Sequence, residues 1–269
     1  MSTVKALDIE SKKGFISDMD GVIYHGNKIL DGVPEFIEWL KSNNKHFLFF
    51  TNSSERSPIE LAQKLERMGL DVDPSHFYTS ALATADFLAS QKPGCSAYVI
   101  GEPGLINALY SKGISMNDVN PDYVVIGETR NYNYDSILRA VKMINNGARL
   151  IGTNPDMTAP SEQGIIPATK ALVAPIELST GCVPYYVGKP NPLMMKSGIK
   201  LLGVAPEEAV IIGDRMDTDI VAGIESEIDT ALVLSGVTSL EDLKSFPYRP
   251  KYIYENVGEI IKGNAVKYH

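Results

Sequence analysis

Four short apolar runs in this chain each stop at a cluster of polar side chains. Phe15-Ile16-Ser17 runs into Asp18-Met19-Asp20-Gly21-Val22, and residues 46–50 run into Thr51-Asn52-Ser53-Ser54. Residues 185–187 stop at Gly188-Lys189-Pro190-Asn191-Pro192, and residues 209–212 at Gly213-Asp214-Arg215-Met216-Asp217-Thr218-Asp219. Runs of this length read as strands, and near-continuous apolar strands belong to parallel sheets covered on both faces. Ligands of such sheets sit beyond the carboxyl ends of the strands. The pattern predicts an α/β chain with a doubly wound, Rossmann-like parallel sheet, one edge of which collects all four polar clusters.

The segments between the runs carry helical periodicity. Residues 34–40 are entered through Pro34 and place Phe36, Ile37 and Leu40 on one face. Residues 58–68 carry a stripe of Leu61, Leu65 and Met68 and stop at Gly69. Residues 22–32, with glycines near both ends, read as a small flap or hairpin in which His25 is structural or solvent-facing. Residues 77–80 read as a short strand or turn, and 81–89 as helix. A second α/β series follows, with strands at 97–100, 123–126 and 149–151 and helices at 105–110, 134–145 and 171–178. The first series is expected to resume at Tyr185, then to continue through a helix at 193–202 and strands at 230–234 and 251–254. The expected organisation is a core of residues 1–79 and 184–269, interrupted by an inserted α/β domain of residues 80–183.

The 269 residues, 44% of them hydrophobic, suffice for two cores. A net charge of -8 without a basic run excludes a nucleic acid polymer as the expected partner and leaves a small molecule. Cys95 and Cys182 form no metal or redox spacing and read as small buried side chains. The chain shows no signal-peptide pattern and no apolar run long enough for a bilayer, so no membrane and a cytoplasmic setting are the default expectations.

The four clusters supply Asp18 and Asp20, Thr51 and Asn52, Lys189, and Asp214 with Asp219. Oxygen donors without soft ligands favour Mg²⁺. A hard cation, one lysine and small donors suit a phosphoryl group. An aspartate can attack phosphorus to give an aspartyl-phosphate. A second carboxylate two positions along can protonate the leaving oxygen and then deprotonate water. A nucleotide-binding oxidoreductase would need a G-x-G-x-x-G turn after the first strand, where Asp18-Met19-Asp20-Gly21 stands. A phosphotransferase or phosphomutase using the same intermediate stays open, as does a non-catalytic phospholigand-binding protein, although the Asp18/Asp20 pair argues against the latter.

In order and strand context these motifs resemble the haloacid dehalogenase (HAD) superfamily of aspartyl-nucleophile phosphatases. Asp18-Met19-Asp20-Gly21-Val22 is similar to its nucleophile motif, Thr51-Asn52 to its second, Gly188-Lys189-Pro190 to its lysine motif, and Gly213-Asp214 with Thr218-Asp219 to its acidic motif. With Gly152-Thr153-Asn154-Pro155-Asp156 added, nearly the whole chain resembles the NagD-like, para-nitrophenyl phosphatase branch, whose members carry a large α/β cap. The resemblance implies a Mg²⁺-dependent hydrolase of small phosphorylated metabolites, such as sugar phosphates or nucleoside monophosphates. It implies Asp18 as nucleophile and metal ligand, Asp20 as general acid/base and ligand through its carbonyl, Asp214 as third ligand and Asp219 behind a metal-bound water. Thr51, the Asn52 backbone and Lys189 would hold phosphate oxygens, and the cap would close over the core. Asn154 and Asp156 read either as substrate-facing residues of the cap or as part of a Thr-Asn-Pro-Asp turn. Self-association through the cap is compatible with this picture.

The chain departs from that branch at Gly127-Glu128-Thr129, where many relatives have Gly-Leu-Asp or Gly-Phe-Asp, at Pro167-Ala168-Thr169-Lys170, and at Pro190-Asn191-Pro192. These departures weaken any transfer of substrate identity. Of the smaller signals, Arg215 reads as a local ion-pair partner, Met194-Met195 as core filling, Lys170 as a solvated helix start, and Tyr132 and Tyr134 as cleft-rim or packing residues.

Overall fold

The computed structural model of the protein describes residues 9–161 and 164–268. The chain forms two compact units, one of Met1–Phe50, Leu65–Phe77 and Met195–His269, the other of Thr51–Lys64 and Tyr78–Met194. In chain order it begins with β1 (Gly14–Ser17), a hairpin of β2 (Tyr24–His25) and β3 (Lys28–Ile29), α1 (Val33–Ser42), β4 (His46–Thr51), α2 (Pro58–Arg67) and β5 (Phe77–Thr79). It continues through α3 (Ser80–Gln91), β6 (Ser96–Ile100), α4 (Pro103–Ser111), β7 (Ser115–Met116), β8 (Tyr123–Ile126), α5 (Tyr134–Asn145) and β9 (Arg149–Gly152). Next come β10 (Thr158–Ser161), β11 (Gly164–Pro167), α6 (Thr169–Thr180), β12 (Tyr185–Tyr186) and α7 (Pro192–Leu202). The chain closes with β13 (Ala209–Gly213), α8 (Val221–Glu225), β14 (Asp229–Val233), β15 (Tyr252–Tyr254) and α9 (Val257–Ile260).

The first sheet has six strands in the order β15-β14-β13-β1-β4-β5. Strands β1 and β13 are buried along their whole length, which explains why they read as unbroken apolar runs. Both neighbours of β1 pair with it in parallel, and Ser17 stands opposite Ile212 of β13 and Phe49 of β4. Three strands therefore end level, and the backbone N–H of Asp18 extends the ladder by donating to the Ile212 carbonyl at 2.8 Å. Helix α1 buries Val33, Phe36, Ile37 and Leu40. Trp39 at its flank meets Phe15 edge-on, 5.5 Å between centroids. Gly198 lets α7 lie against Phe50, since a Cβ there would sit 2.0 Å from the ring.

The second unit carries a five-stranded parallel sheet in the order β12-β9-β8-β6-β7. Its core joins Ile100, Val124, Ile126 and Leu150 of the strands to Met143 and Ile144 of α5 and Val173 and Ile176 of α6. The Asn133 side chain caps α5 by accepting from the Ser136 N–H. Met194 and Met195 are fully buried, as expected of core filling.

Two features depart from the expectations. The strand at Tyr185 does not rejoin the first sheet. Tyr185 pairs with Ile151 and Tyr186 with Gly152, so β12 is the edge strand of the second sheet. The cluster holding Lys189 thus follows a strand of that sheet, and three of the four polar clusters, not all four, share the edge of the first. The antiparallel hairpin β10–β11 was also not foreseen: Pro160 and Pro167 argue against strands in the interior of a sheet but fit a two-stranded ribbon.

Candidate active site

In the first unit the residues after β1 alternate. Met19 is buried completely, and its carbonyl receives the N–H groups of Val22, Ile23 and Tyr24. Asp18 is half-buried and Asp20 exposed. Gly21 then turns the chain at φ 81°, and a Cβ on it would lie 2.5 Å from Asp214 Oδ2. Asp214 follows β13 directly and is buried; its Oδ2 accepts from the Val237 N–H at 2.8 Å. A Cβ on Gly236 would stand 2.0 Å from that same oxygen. Asp219 lies in a single π-helical turn, Met216–Ile220, and is fully buried. Its Oδ2 accepts from the Arg215 N–H at 3.2 Å.

These elements bring carboxylate oxygens of Asp18, Asp214 and Asp219 within 4.8 Å of one another. All three donors are hard oxygens in a cradle walled by glycines, so the set fits a hard divalent metal. The Asp20 carboxylate is not part of this grouping. Asp217 is drawn aside by Arg215, whose Nη2 and Nε donate to it at 2.8 and 3.1 Å. That is the local ion pair the sequence suggested. His25 bonds the Ser235 carbonyl at 3.0 Å, a structural contact.

The second unit assembles another polar cluster. Thr51, Asn52 and Lys189 are all buried. Thr51 Oγ1 accepts from the Ser53 N–H at 3.0 Å. Asn52 Nδ2 donates to the Lys189 carbonyl at 2.9 Å and to Asp156 Oδ2 at 3.0 Å. Asn154 has no exposed surface; its Nδ2 donates to the Asn52 carbonyl and to Glu128 Oε1, both at 2.7 Å, and its Oδ1 accepts from the Asp156 N–H. Asn52, Lys189, Asn154 and Asp156, chosen from distant parts of the sequence, thus meet within one unit. Gly188 is wedged so closely that a Cβ would lie 2.7 Å from both Asn52 Oδ1 and the Thr153 carbonyl.

The residue that sequence reasoning passed over is Glu128. One oxygen accepts from Ser54 twice, through N–H at 2.9 Å and through the hydroxyl, and the other from Asn154. Burial pushes its carboxyl above the ordinary glutamate value, and these hydrogen bonds partly oppose the shift. Its signal was an acidic residue two positions past the end of the fully apolar strand β8.

Comparison with known proteins agrees with this geometry. A haloacid dehalogenase-like hydrolase family model matches residues 15–115, and a HAD-hydrolase-like model matches residues 186–260. The dihydroxyacetone phosphatase of Corynebacterium glutamicum is 43% identical over 91% of this chain and 90% of its own. The ribonucleotide monophosphatase NagD of Escherichia coli K12 is 45% identical over 92% of this chain and 98% of its own. The crystal structure of a 4-nitrophenylphosphatase from Thermotoga maritima superposes with a TM-score of 0.91 at 35% identity, covering 94% of this chain and 98% of that one. The chain belongs to the haloacid dehalogenase-like hydrolases, in the branch of NagD and the para-nitrophenyl phosphatases, and is a phosphatase with a Rossmann-like core and an inserted α/β cap.

Proposed function

We propose that this phosphatase hydrolyses phosphate monoesters of small metabolites, sugar phosphates or nucleoside monophosphates, with Mg²⁺ as its metal. The observation that carries this reading is the convergence of Asp18, Asp214 and Asp219 at the carboxyl ends of two adjacent parallel strands, β1 and β13. Asp18, the Asp20 carbonyl and Asp214 would hold the ion, with Asp219 behind it. Bound there, Mg²⁺ would offset the repulsion between an anionic nucleophile and an anionic phosphoryl group.

Asp18 attacks phosphorus and forms the aspartyl-phosphate. Asp20 protonates the departing oxygen, then takes a proton from the water that releases phosphate. Its exposure supports that task, since a proton carrier must meet both leaving group and water. Thr51, Asn52 and Lys189 hold the phosphoryl oxygens, and the buried Lys189 ammonium suits a dianion. Residues 80–183 serve as the cap that selects the leaving group; half-buried Asp156 would face the substrate, and the fully buried Asn154 would hold it in place by accepting from its N–H. The relatives' names cover a triose phosphatase and a ribonucleotide phosphatase at nearly equal identity, so leaving-group preference is a property of this chain's own cap. No helix among the described residues is long and apolar enough to cross a membrane. A cytoplasmic setting is part of the proposal.

The test is phosphate release from a panel of phosphorylated metabolites, with Mg²⁺ or EDTA, by wild type and Asp18→Asn. Mg²⁺-dependent release that falls at least about 1,000-fold in the variant is expected. Release that survives both EDTA and Asp18→Asn would sink the assignment.

A further inference from the structure

The segment Thr51-Asn52-Ser53-Ser54, with Glu55 after it, is held by a seat built from the start of α4 and from strand ends of its own unit. Gly104 donates its N–H to the Glu55 carbonyl at 3.1 Å, and a Cβ there would lie 2.5 Å from that oxygen. A Cβ on Gly127 would lie 2.5 Å from Ser54 Oγ. Backbone therefore meets the segment where side chains would keep it away.

The polar part of the seat has a direction. Ser54, Thr153 and Thr169 are each buried with almost no exposed surface. The Ser54 hydroxyl bonds Glu128 Oε2, Thr153 Oγ1 lies 3.3 Å from Ser54 Oγ, and Thr169 Oγ1 lies 3.2 Å from Thr153 Oγ1. The Ser54 N–H also points at Glu128 Oε2, and the Glu128 N–H points back at Ser54 Oγ at 3.3 Å. With that N–H and the Thr153 hydroxyl both donating to Ser54 Oγ, the Ser54 proton has one acceptor left, the carboxylate. The three hydroxyls donate in series, Thr169 to Thr153 to Ser54 to Glu128. Glu128 is the acceptor on which the series ends, and its other oxygen fixes Asn154, which in turn grips the Asn52 carbonyl.

We infer that Glu128 is the positioning residue of the phosphate-binding segment, setting the backbone of Asn52 and Ser54 from both sides through Asn154 and through the hydroxyl series. This rests on the proposed assignment of Thr51 and Asn52 to the phosphoryl group. Glu128 touches no reacting atom. It acts on the phosphate end of every substrate alike and leaves the leaving group to other residues. A glutamine is the same size but replaces one acceptor oxygen with an NH₂ group. That group must face either the Ser54 N–H or the Asn154 NH₂, and donor meets donor in both cases.

The experiment compares wild type, Glu128→Gln and Ser54→Ala on two esters with unlike leaving groups, para-nitrophenyl phosphate and a ribonucleoside monophosphate. It also measures inhibition by inorganic phosphate, with a melting curve for each protein. Glu128→Gln is expected to lower kcat/KM about 10- to 100-fold by the same factor for both esters, and to weaken phosphate inhibition in step. Ser54→Ala, which keeps the Ser54 N–H and Asn154 contacts, should move the same quantities in the same direction by less, and serves if Glu128→Gln does not fold. Folded variants with wild-type kcat/KM and phosphate affinity would overturn the inference, as would losses differing tenfold between the esters. Weakened phosphate inhibition in Thr51→Ala establishes the underlying assignment in the same assay, so an unchanged Glu128→Gln beside it overturns this inference alone. No wild-type turnover overturns both.

Discussion

In the first unit three carboxylates, Asp18, Asp214 and Asp219, converge within 4.8 Å; in the second a single one, Glu128, is ringed by donors from Ser54 and Asn154. Both groups sit at carboxyl ends of parallel strands, and glycines press against both. The difference is in charge bookkeeping. Three carboxylate oxygens at that spacing can share one divalent cation, whose charge acts on all of them at once. Glu128 accepts three hydrogen bonds from its own chain, which offset the cost of burying it. The first arrangement offers a metal its ligands, whereas the second engages its one acid in hydrogen bonds. Metal-dependent stability should therefore be confined to the first.

The largest effect should come from filling the cradle. Gly236→Ala places a methyl 2.0 Å from Asp214 Oδ2 and 2.4 Å from its Cβ. Asp214 must then move off the Val237 N–H. A loss of about 3 kcal/mol is expected from overpacking, together with at least a tenfold weaker response of the melting temperature to Mg²⁺. Calorimetry with and without Mg²⁺ checks both. A variant that keeps the metal response would mean that Asp214 does not hold the ion.

Much of this contrast was legible in the sequence, and the rest was not, for local reasons. Asp18 and Asp214 stand directly after unbroken apolar strands, so their placement at a strand end needs only short-range reasoning. The bounds of β8 and α5 match the sequence reading because apolar content starts and stops sharply there, at Gly127 and at the Asn133 cap. Strand β12 was legible as a strand but not as a member of the second sheet. Its two residues carry no register signal, and its partners Ile151 and Gly152 lie more than thirty positions earlier. Asp219 was set apart from Asp217 by the motif resemblance, and the fold supplies the local reason. A π-helical turn buries Asp219 beside the metal cluster and leaves Asp217 to Arg215. Glu128 looked like a mere departure from its family's motif, because its partners Ser54 and Asn154 are brought to it only by the fold.

Asp229 sharpens the comparison, since it is an acid of the first unit whose countercharges come from the chain itself. Lys12 and Lys251 approach its Oδ2 at 2.6 and 2.7 Å. Burial pushes the carboxyl up, and the hydrogen bonds and charges of the two lysines outweigh it, so its pKa lies below the ordinary aspartate value. A lowered folded-state pKa gives stability that is present above the unfolded value and lost as pH falls through the folded one. Asp229→Asn should therefore cost about 2 kcal/mol at pH 7. In denaturant titrations the gap from wild type should close below about pH 3.8. A gap that stays constant down to pH 2 would show that packing, not charge, holds β14 at this end.

Removing one charge from the metal cluster should instead change the response to metal. Asp219→Asn keeps an oxygen to accept from the Arg215 N–H, so the π-helical turn retains its bond. What it loses is one negative charge beside Asp18 and Asp214. Added Mg²⁺ should raise the melting temperature of wild type more than that of the variant, so a metal titration separates the two. Asp229→Asn, at a site where two lysines meet the carboxylate, should respond to Mg²⁺ as wild type does. If Asp219→Asn also keeps the full wild-type response, its charge does not act on the ion, and the contrast between the two kinds of strand end collapses.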